Sequence, residues 1–91
     1  MVVINGLIQY GSKLNWSFAN NGNESVVLKS LQLIGGNGYE GNLMDVNVEV
    51  NAHSSVAYAT TVGLLGIVSP VTCRFWFEYN GEEYFVDAVY N

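Results

Sequence analysis

The sequence predicts an all-β domain built from short strands. Apolar, β-branched and aromatic residues recur in short runs that alternate with period two, and no long stretch shows a helical period. Clusters of Gly and Asn separate these runs, as expected for turns, and the chain contains 10 Gly and 11 Asn. A chain of 91 residues is long enough for one packed core. We therefore expect a single domain over residues 1–91.

The first two strands are predicted over Val2 to Tyr10, with a break at Asn5-Gly6, and over Lys13 to Ala19. Apolar and polar or small residues alternate strictly in the second strand, which is typical of a strand buried on one face. Its core-facing residues would be Leu14, Trp16 and Phe18. The run Asn20-Asn21-Gly22-Asn23 predicts a turn after it, because Asn and Gly tolerate positive φ.

The third strand is predicted over Ser25 to Ile34, and its apolar residues change phase midway. They are Val26 and Leu28, then Leu31 and Leu33. A bulge near Lys29-Ser30 would keep both pairs on the core face. The alternative is a strand buried on both faces, and the polar residues Lys29 and Gln32 argue against it.

The middle of the chain predicts two more strands. Gly35 to Asn42 is a flexible connection with four glycines, and Met44 to Val50 alternates as a strand buried on one face. A turn over residues 51–54 leads into a strand from Ser55 to Val62. Gly63 to Pro70 then crosses over to the next strand, which Pro70 precedes rather than interrupts.

The last two strands form a hairpin. Val71 to Tyr79 and Glu82 to Tyr90 flank Asn80-Gly81, and this dipeptide supplies the two positive φ angles of a type I′ turn. With these two loop residues, the numbers of opposed residues sum to 161. The pairs expected on the core face are Phe77 with Tyr84, Phe75 with Val86, and Cys73 with Ala88.

The other face of the hairpin carries the candidate binding residues, which are Arg74, Trp76, Phe85, Asp87 and Val89. The same register sets Arg74 opposite Asp87 as a cross-strand ion pair and Trp76 opposite Phe85 as two large aromatics on the solvent side. Three explanations stay open for the apolar patch. Another part of the chain covers it, a protein partner or a second copy binds it, or the aromatic rings stack on carbohydrate.

The order of these features resembles bacterial immunoglobulin-like and fibronectin-III-like modules, in particular those of the cell-adhesion-related (CARDB-type) group. The resemblance rests on four segments: residues 16–20 (WSFAN), residues 26–33 (VVLKSLQL), residues 51–56 (NAHSSV) and the closing hairpin. It implies a seven-strand antiparallel β-sandwich and a non-catalytic module of a surface or secreted protein. The chain departs from antibody-type domains, because it has a single Cys and position 71, two residues before it, is Val rather than Tyr.

Charge and length exclude several classes of partner. The chain has 3 Lys and Arg against 8 Asp and Glu, a net charge of -5, so no basic surface is expected for nucleic acid or anionic lipid. The longest apolar run, Val62 to Val68, is far shorter than the roughly 20 residues of a membrane-spanning helix. The apolar start, Met1 to Gly6, lacks the basic region of a signal peptide.

No residue pattern indicates catalysis or a cofactor. His53 is the single histidine and lies in a polar turn beside two serines, where a catalytic triad is not expected. Cys73 alternates into the core and is expected to be an inert buried thiol. Two carboxylate groups, Glu40-Asn42-Asp45 and Glu78-Glu82-Glu83, offer oxygen ligands for calcium but lack the spacing of a calcium loop. We expect no metal, no cofactor and no enzyme activity.

The sequence therefore predicts a non-catalytic structural or protein-interaction module that associates with a protein partner or with itself as a homodimer. The alternative is a carbohydrate-binding module that uses the aromatic face. Charged residues make up 12% of the chain, about half the usual fraction, and Asn, Gly, Ser and Thr provide its polarity instead. This composition favours an extracytoplasmic or cell-surface protein of a bacterium.

Overall fold

A computed structural model describes residues 2–10, 13–41, 43–61 and 68–90. As predicted, this part of the chain folds into antiparallel β-strands in two sheets, and it contains no helix. The strands are β1 (Val2–Tyr10), β2 (Lys13–Asn20), β3 (Val26–Ile34), β4 (Met44–Val50), β5 (Ser54–Thr61), β6 (Val71–Tyr79) and β7 (Glu82–Tyr90). No helix in the described ranges is long and apolar enough to pass through a membrane.

The two sheets have different strand orders. One has three strands in the order β1-β2-β5, and the other has four in the order β4-β3-β6-β7. Local sequence explains the pairs of neighbours along the chain, such as the hairpin of β6 and β7. The pairs β2 with β5 and β3 with β6 join strands that are distant in the sequence, so the core brings them together.

Strand ends differ from the prediction at three places. β2 extends to Asn20, which pairs with both Val2 and Ser54 instead of beginning the turn. β3 begins at Val26 rather than Ser25, and β5 begins at Ser54 rather than Ser55. The predicted end of the fifth strand at Val62 and most of the crossing from Gly63 to Pro70 lie outside the described residues, as does Asn42.

Both predicted irregularities are confirmed. The register of β1 with β2 shifts between Ile4 and Gly6, at the Asn5-Gly6 break. The register of β3 with β6 shifts between Leu28 and Ser30 and leaves Lys29 as the extra residue, which places a bulge at Lys29. The register of β3 with β4 shifts at the same point, but there the extra residue is on β4. The bulge keeps apolar residues on the core face before and after the change of phase. On β4, Asn47 has a φ of 55° beside this shift.

The hairpin register is confirmed along its whole length. Every pair of β6 with β7 has numbers that sum to 161, from Tyr79 opposite Glu82 to Val71 opposite Tyr90. Asn80 and Gly81 have φ values of 54° and 80°, as a type I′ turn requires.

The core lies between the sheets and is held together by aromatic contacts across them. Trp16 of β2 meets Phe75 of β6 edge to face at 5.5 Å between ring centroids, and Phe18 meets Phe77 at 5.2 Å. Edge-to-face pairs at this distance are favourable beyond the area they bury. The core also includes Leu14, Leu28, Leu31, Leu33, Val50 and Cys73.

Candidate functional site

The outer face of the four-stranded sheet brings together all five predicted binding residues. Arg74, Trp76, Phe85, Asp87 and Val89 lie on β6 and β7, and we call this group the aromatic face. Side chains alternate between faces along a strand, so these residues point away from the core that their neighbours Phe75 and Phe77 fill. The paired strands therefore fix the aromatic face as part of one rigid sheet.

The two aromatic rings of this face are packed together, and Phe85 is exposed whereas Trp76 is half-buried. The Trp76 and Phe85 ring centroids are 5.1 Å apart and the rings are inclined by 59°. Phe85 is 46% exposed and Val89 is 65% exposed. The explanation that another part of the chain covers the patch therefore fails for Phe85 and Val89 within the described residues.

Arg74 adds a fixed cation beside these rings. Its guanidinium donates to both carboxylate oxygens of Asp87, with Nε to Oδ1 at 2.8 Å and Nη2 to Oδ2 at 3.0 Å. The same guanidinium lies 4.0 Å from the centroid of the Phe85 ring, within cation–π distance. The hydrogen bonds to Asp87 raise the pKa of Arg74, so the group stays charged. The predicted cross-strand ion pair is thus present with bidentate geometry.

The indole N–H of Trp76 has no acceptor in the described part of the chain, although the nitrogen atom is shielded from solvent. Leaving a buried donor unpaired costs about 1–3 kcal/mol.

The residues considered for catalysis lie apart from the aromatic face. His53 is exposed in the turn before β5, and its Nε2 atom lies 2.9 Å from Oδ1 of Asn23. The hydroxyl of Ser54 donates to the carbonyl of Ala52 rather than to the imidazole of His53. Cys73 is fully buried, and burial raises the pKa of its thiol to about 12. These positions agree with the expected roles of a turn residue and an inert core thiol.

The candidate calcium ligands Glu78, Glu82 and Glu83 do not form a site in the part of the chain that the structure describes. No three His, Cys, Asp or Glu side chains come close enough there to hold a metal ion, and this holds for Glu78, Glu82 and Glu83 as well. Asn42 of the other candidate group lies outside the described residues. Glu78 and Glu83 lie opposite each other in the hairpin, as the register predicts.

An open pocket of about 520 Å³ lies at the end of the molecule near the hairpin turn, and the sequence did not indicate it. Its walls come from four separate segments, which local patterns cannot bring together. They include Val2, Val26, Tyr84 and Val86. At its rim the Tyr79 hydroxyl donates to the Glu24 carboxylate, and this hydrogen bond raises the pKa of Tyr79. The volume is within the usual range for small-molecule pockets.

The aromatic face is the surface where predicted residues and observed geometry coincide. It combines the exposed side chains of Phe85 and Val89 with a guanidinium that Asp87 holds in place. Comparison with models of protein families and with curated protein sequences finds no match for this chain.

Proposed function

We propose that this chain is a non-catalytic, immunoglobulin-like interaction module of a bacterial surface or exported protein, and that its aromatic face binds a protein partner. The observation that carries the proposal is the exposure of Phe85 and Val89 beside the Arg74–Asp87 ion pair on a rigid sheet. Monomeric proteins seldom expose contiguous apolar side chains without a use for them.

The strand order supports the immunoglobulin-like part of the proposal. In constant-type immunoglobulin domains, the first, second, fifth and fourth strands share a sheet. Here β4 pairs with β3 at the edge of the other sheet, so the sheets are β1-β2-β5 and β4-β3-β6-β7. Such a change of sheet by the fourth strand is similar to the fibronectin-III-like arrangement. A seven-strand β-sandwich of this kind is the fold that we propose.

The chemistry of the aromatic face favours a protein over a carbohydrate. Trp and Arg are enriched at the energetic centres of protein interfaces, and this face presents Trp76, Arg74 and an exposed Phe85 together. A sugar ring stacks on a flat aromatic surface, whereas Trp76 and Phe85 are inclined by 59° and Arg74 lies over the Phe85 ring.

Site-specific photocrosslinking tests the proposal. A benzoylphenylalanine residue replaces Val89 of the full chain in cells of the organism that produces it. We expect one discrete cross-linked product with a second, different protein. In a Phe85→Ser background the yield should fall at least about tenfold, the size of effect expected at an interface centre. The matched control places the same photoreactive residue at Tyr39, which is 49% exposed in the connection between β3 and β4.

Two results would overturn the proposal. The first is a product that forms equally well from position 39 or persists in the Phe85→Ser background, because such contacts would not be specific to the aromatic face. The second is binding of soluble polysaccharides in affinity electrophoresis that is lost in a Trp76→Ala variant. That outcome would assign the aromatic face to carbohydrate instead.

A further inference from the structure

In the part of the chain that the structure describes, β5 is an edge strand of the three-stranded sheet with one side unpaired. It pairs with β2 through eight consecutive residues without a shift in register, and no other strand of the described chain pairs with its second edge. Its sequence, SSVAYATT, contains no charged residue, no Pro and no Gly. An uncharged edge strand of this length without a bulge exposes a row of backbone N–H and C=O groups to any strand that approaches.

The edges of the four-stranded sheet carry the features that block such pairing. β4 carries Asp45 and Glu49, and its register shifts beside the positive φ of Asn47. β7 carries Glu82, Glu83 and Asp87. Charged side chains and bulges of this kind are the usual protection of edge strands. β5 has neither feature.

The inner face of β5 is also incompletely covered. Tyr58 lies opposite Trp16 and stacks on it, with ring centroids 5.5 Å apart and planes inclined by 18°. Tyr58 therefore points to the core side of the sheet, yet it is 52% exposed. β4 and β5 make few contacts across this side of the core, so Tyr58 stays accessible at the edge of the sheet.

We propose that β5 pairs antiparallel with β5 of a second copy of this chain, joining the two three-stranded sheets into one continuous six-stranded sheet. Directly opposed residues must share a face for the cores to remain aligned. A two-fold axis through either Ala57 or Tyr58 satisfies this condition. Both arrangements bring the tyrosines of the two copies together beside Trp16 and extend the apolar surface across the dimer.

β5 is the edge at which a second copy of this chain meets least charge repulsion. The chain has a net charge of -5, so two copies repel each other where acidic side chains meet. β5 presents no charge to its partner, and the residues on its outer face are small or hydroxylated: Ser55, Ala57, Ala59 and Thr61. The pairing goes beyond the proposed partner binding, because β5 lies in the sheet that does not carry the aromatic face.

Light scattering after gel filtration tests the pairing on the full chain, from low micromolar to nearly millimolar concentration. We expect the wild type to reach twice the mass of one chain as concentration rises. A double variant, Ala57→Lys with Ala59→Lys, places like charges opposite each other in either register. Its dimer dissociation constant should rise at least about tenfold, since opposed like charges are strongly unfavourable at an interface. Both alanines are exposed, so circular dichroism should be unchanged.

A charge-reversed double variant, Ala57→Glu with Ala59→Glu, provides the decisive control. Alone it should be monomeric, and mixed with the lysine variant it should restore the dimer. The Phe85→Ser variant should dimerise like the wild type, which separates this pairing from the proposed function. A wild type that stays monomeric throughout, a lysine variant that still dimerises, or a dimer lost only in Phe85→Ser would each overturn the inference.

Discussion

Burial determines the chemistry of Cys73. The side chain is fully buried between the sheets, on the same face of β6 as the core aromatic Phe75. Removal from water disfavours the thiolate, and the nearby carboxylate of Asp87 disfavours it further, so the pKa of Cys73 rises to about 12. The thiolate is the nucleophilic form of cysteine, and this thiol remains protonated at neutral pH. Alternation along β6 was enough to predict this role from the sequence.

The shifted thiol predicts a loss of stability in alkaline solution. The folded-state pKa of about 12 lies above the unfolded value of 9.0, so the unfolded chain releases its proton first as pH rises. The contribution of Cys73 is fully present below pH 9.0 and is lost towards about pH 12. Its loss should lower the free energy of unfolding by about 1.4 kcal/mol per pH unit in that interval. Urea denaturation at a series of pH values measures this slope.

Cys73→Val is the control for the alkaline slope. Valine has a similar volume and no ionisable group. The free energy of unfolding of this variant should therefore fall less steeply with pH than that of the wild type, and the slope that remains comes from other groups such as the tyrosines. Equal slopes for the wild type and Cys73→Val would contradict the assignment to Cys73.

The buried structural role of Asn20 could not be predicted from the sequence. The pattern placed it in a polar turn, but the side chain is 1% exposed at the end of β2. Its amide nitrogen donates to the carbonyls of Glu24 and Val50 at 2.7 and 3.2 Å, and its carbonyl oxygen accepts the N–H of Gly22 at 2.9 Å. Asn20 therefore fixes the turn between β2 and β3 and attaches it to the end of β4.

An Asn20→Ala substitution should lower the free energy of unfolding by about 2–3 kcal/mol, because it leaves buried backbone groups without partners. The neighbouring Asn21→Ala is the matched control, since Asn21 is exposed and a surface change should stay within about 0.5 kcal/mol. Urea denaturation of both variants makes the comparison. Equal effects at the two positions would show that the hydrogen bonds of Asn20 contribute nothing measurable.

At the scale of the strands, the turn between β6 and β7 sets the register of the whole hairpin. Gly81 has a φ of 80°, and a Cβ atom added there would meet nothing within 4 Å. A Gly81→Ala substitution should therefore cost only the conformational penalty of positive φ, about 1 kcal/mol. Asn80→Gly, at the other turn position, should change stability by a few tenths of a kcal/mol at most. Thermal or urea unfolding that finds Gly81→Ala neutral would contradict this account of the turn.

Strand-level features could be predicted wherever a local signal determines them. The Asn80-Gly81 dipeptide determined the register of nine pairs, and the change of phase at Lys29 located the bulge of β3. No local signal shows that β2 pairs with β5 or that β3 pairs with β6, because these contacts depend on the collapse of the whole core. The positive φ of Asn47 was likewise not predicted, since a single Asn between valines resembles an ordinary exposed strand position.

At the scale of the whole molecule, surfaces formed by one local segment could be predicted, and surfaces formed by distant segments could not. The aromatic face lies on one hairpin, so its five residues could be found from register alone. The pocket near the hairpin turn takes residues from four segments: β1, the segment from the end of β2 to the start of β3, β6 and β7. The open edge of β5 also depends on knowing which strands end each sheet. Surfaces made by distant segments become visible only in the folded chain.

The contrast between core and surface aromatics predicts different costs for one kind of substitution. Phe75 is fully buried, so Phe75→Ala should lower the free energy of unfolding by about 3–5 kcal/mol. Phe85 is 46% exposed on the next strand, and Phe85→Ala should cost clearly less, about 1 kcal/mol. Urea denaturation compares the two. A large loss at Phe85 would mean that the aromatic face serves the stability of the fold rather than binding.

The aromatic contacts between the sheets also predict that the whole molecule unfolds in one step. Trp16 lies in the three-stranded sheet and faces the core, whereas Trp76 lies on the outer face of the four-stranded sheet, so the two indoles report on different parts of the molecule. In Trp16→Phe and Trp76→Phe variants, the fluorescence of the remaining tryptophan should follow the same urea transition as far-UV circular dichroism. Coincident transitions are expected because Trp16 packs on Phe75 and Phe18 packs on Phe77, and neither sheet can bury these rings alone. If the fluorescence of the remaining tryptophan changes at a lower urea concentration than the circular dichroism in either variant, the molecule does not unfold in one step.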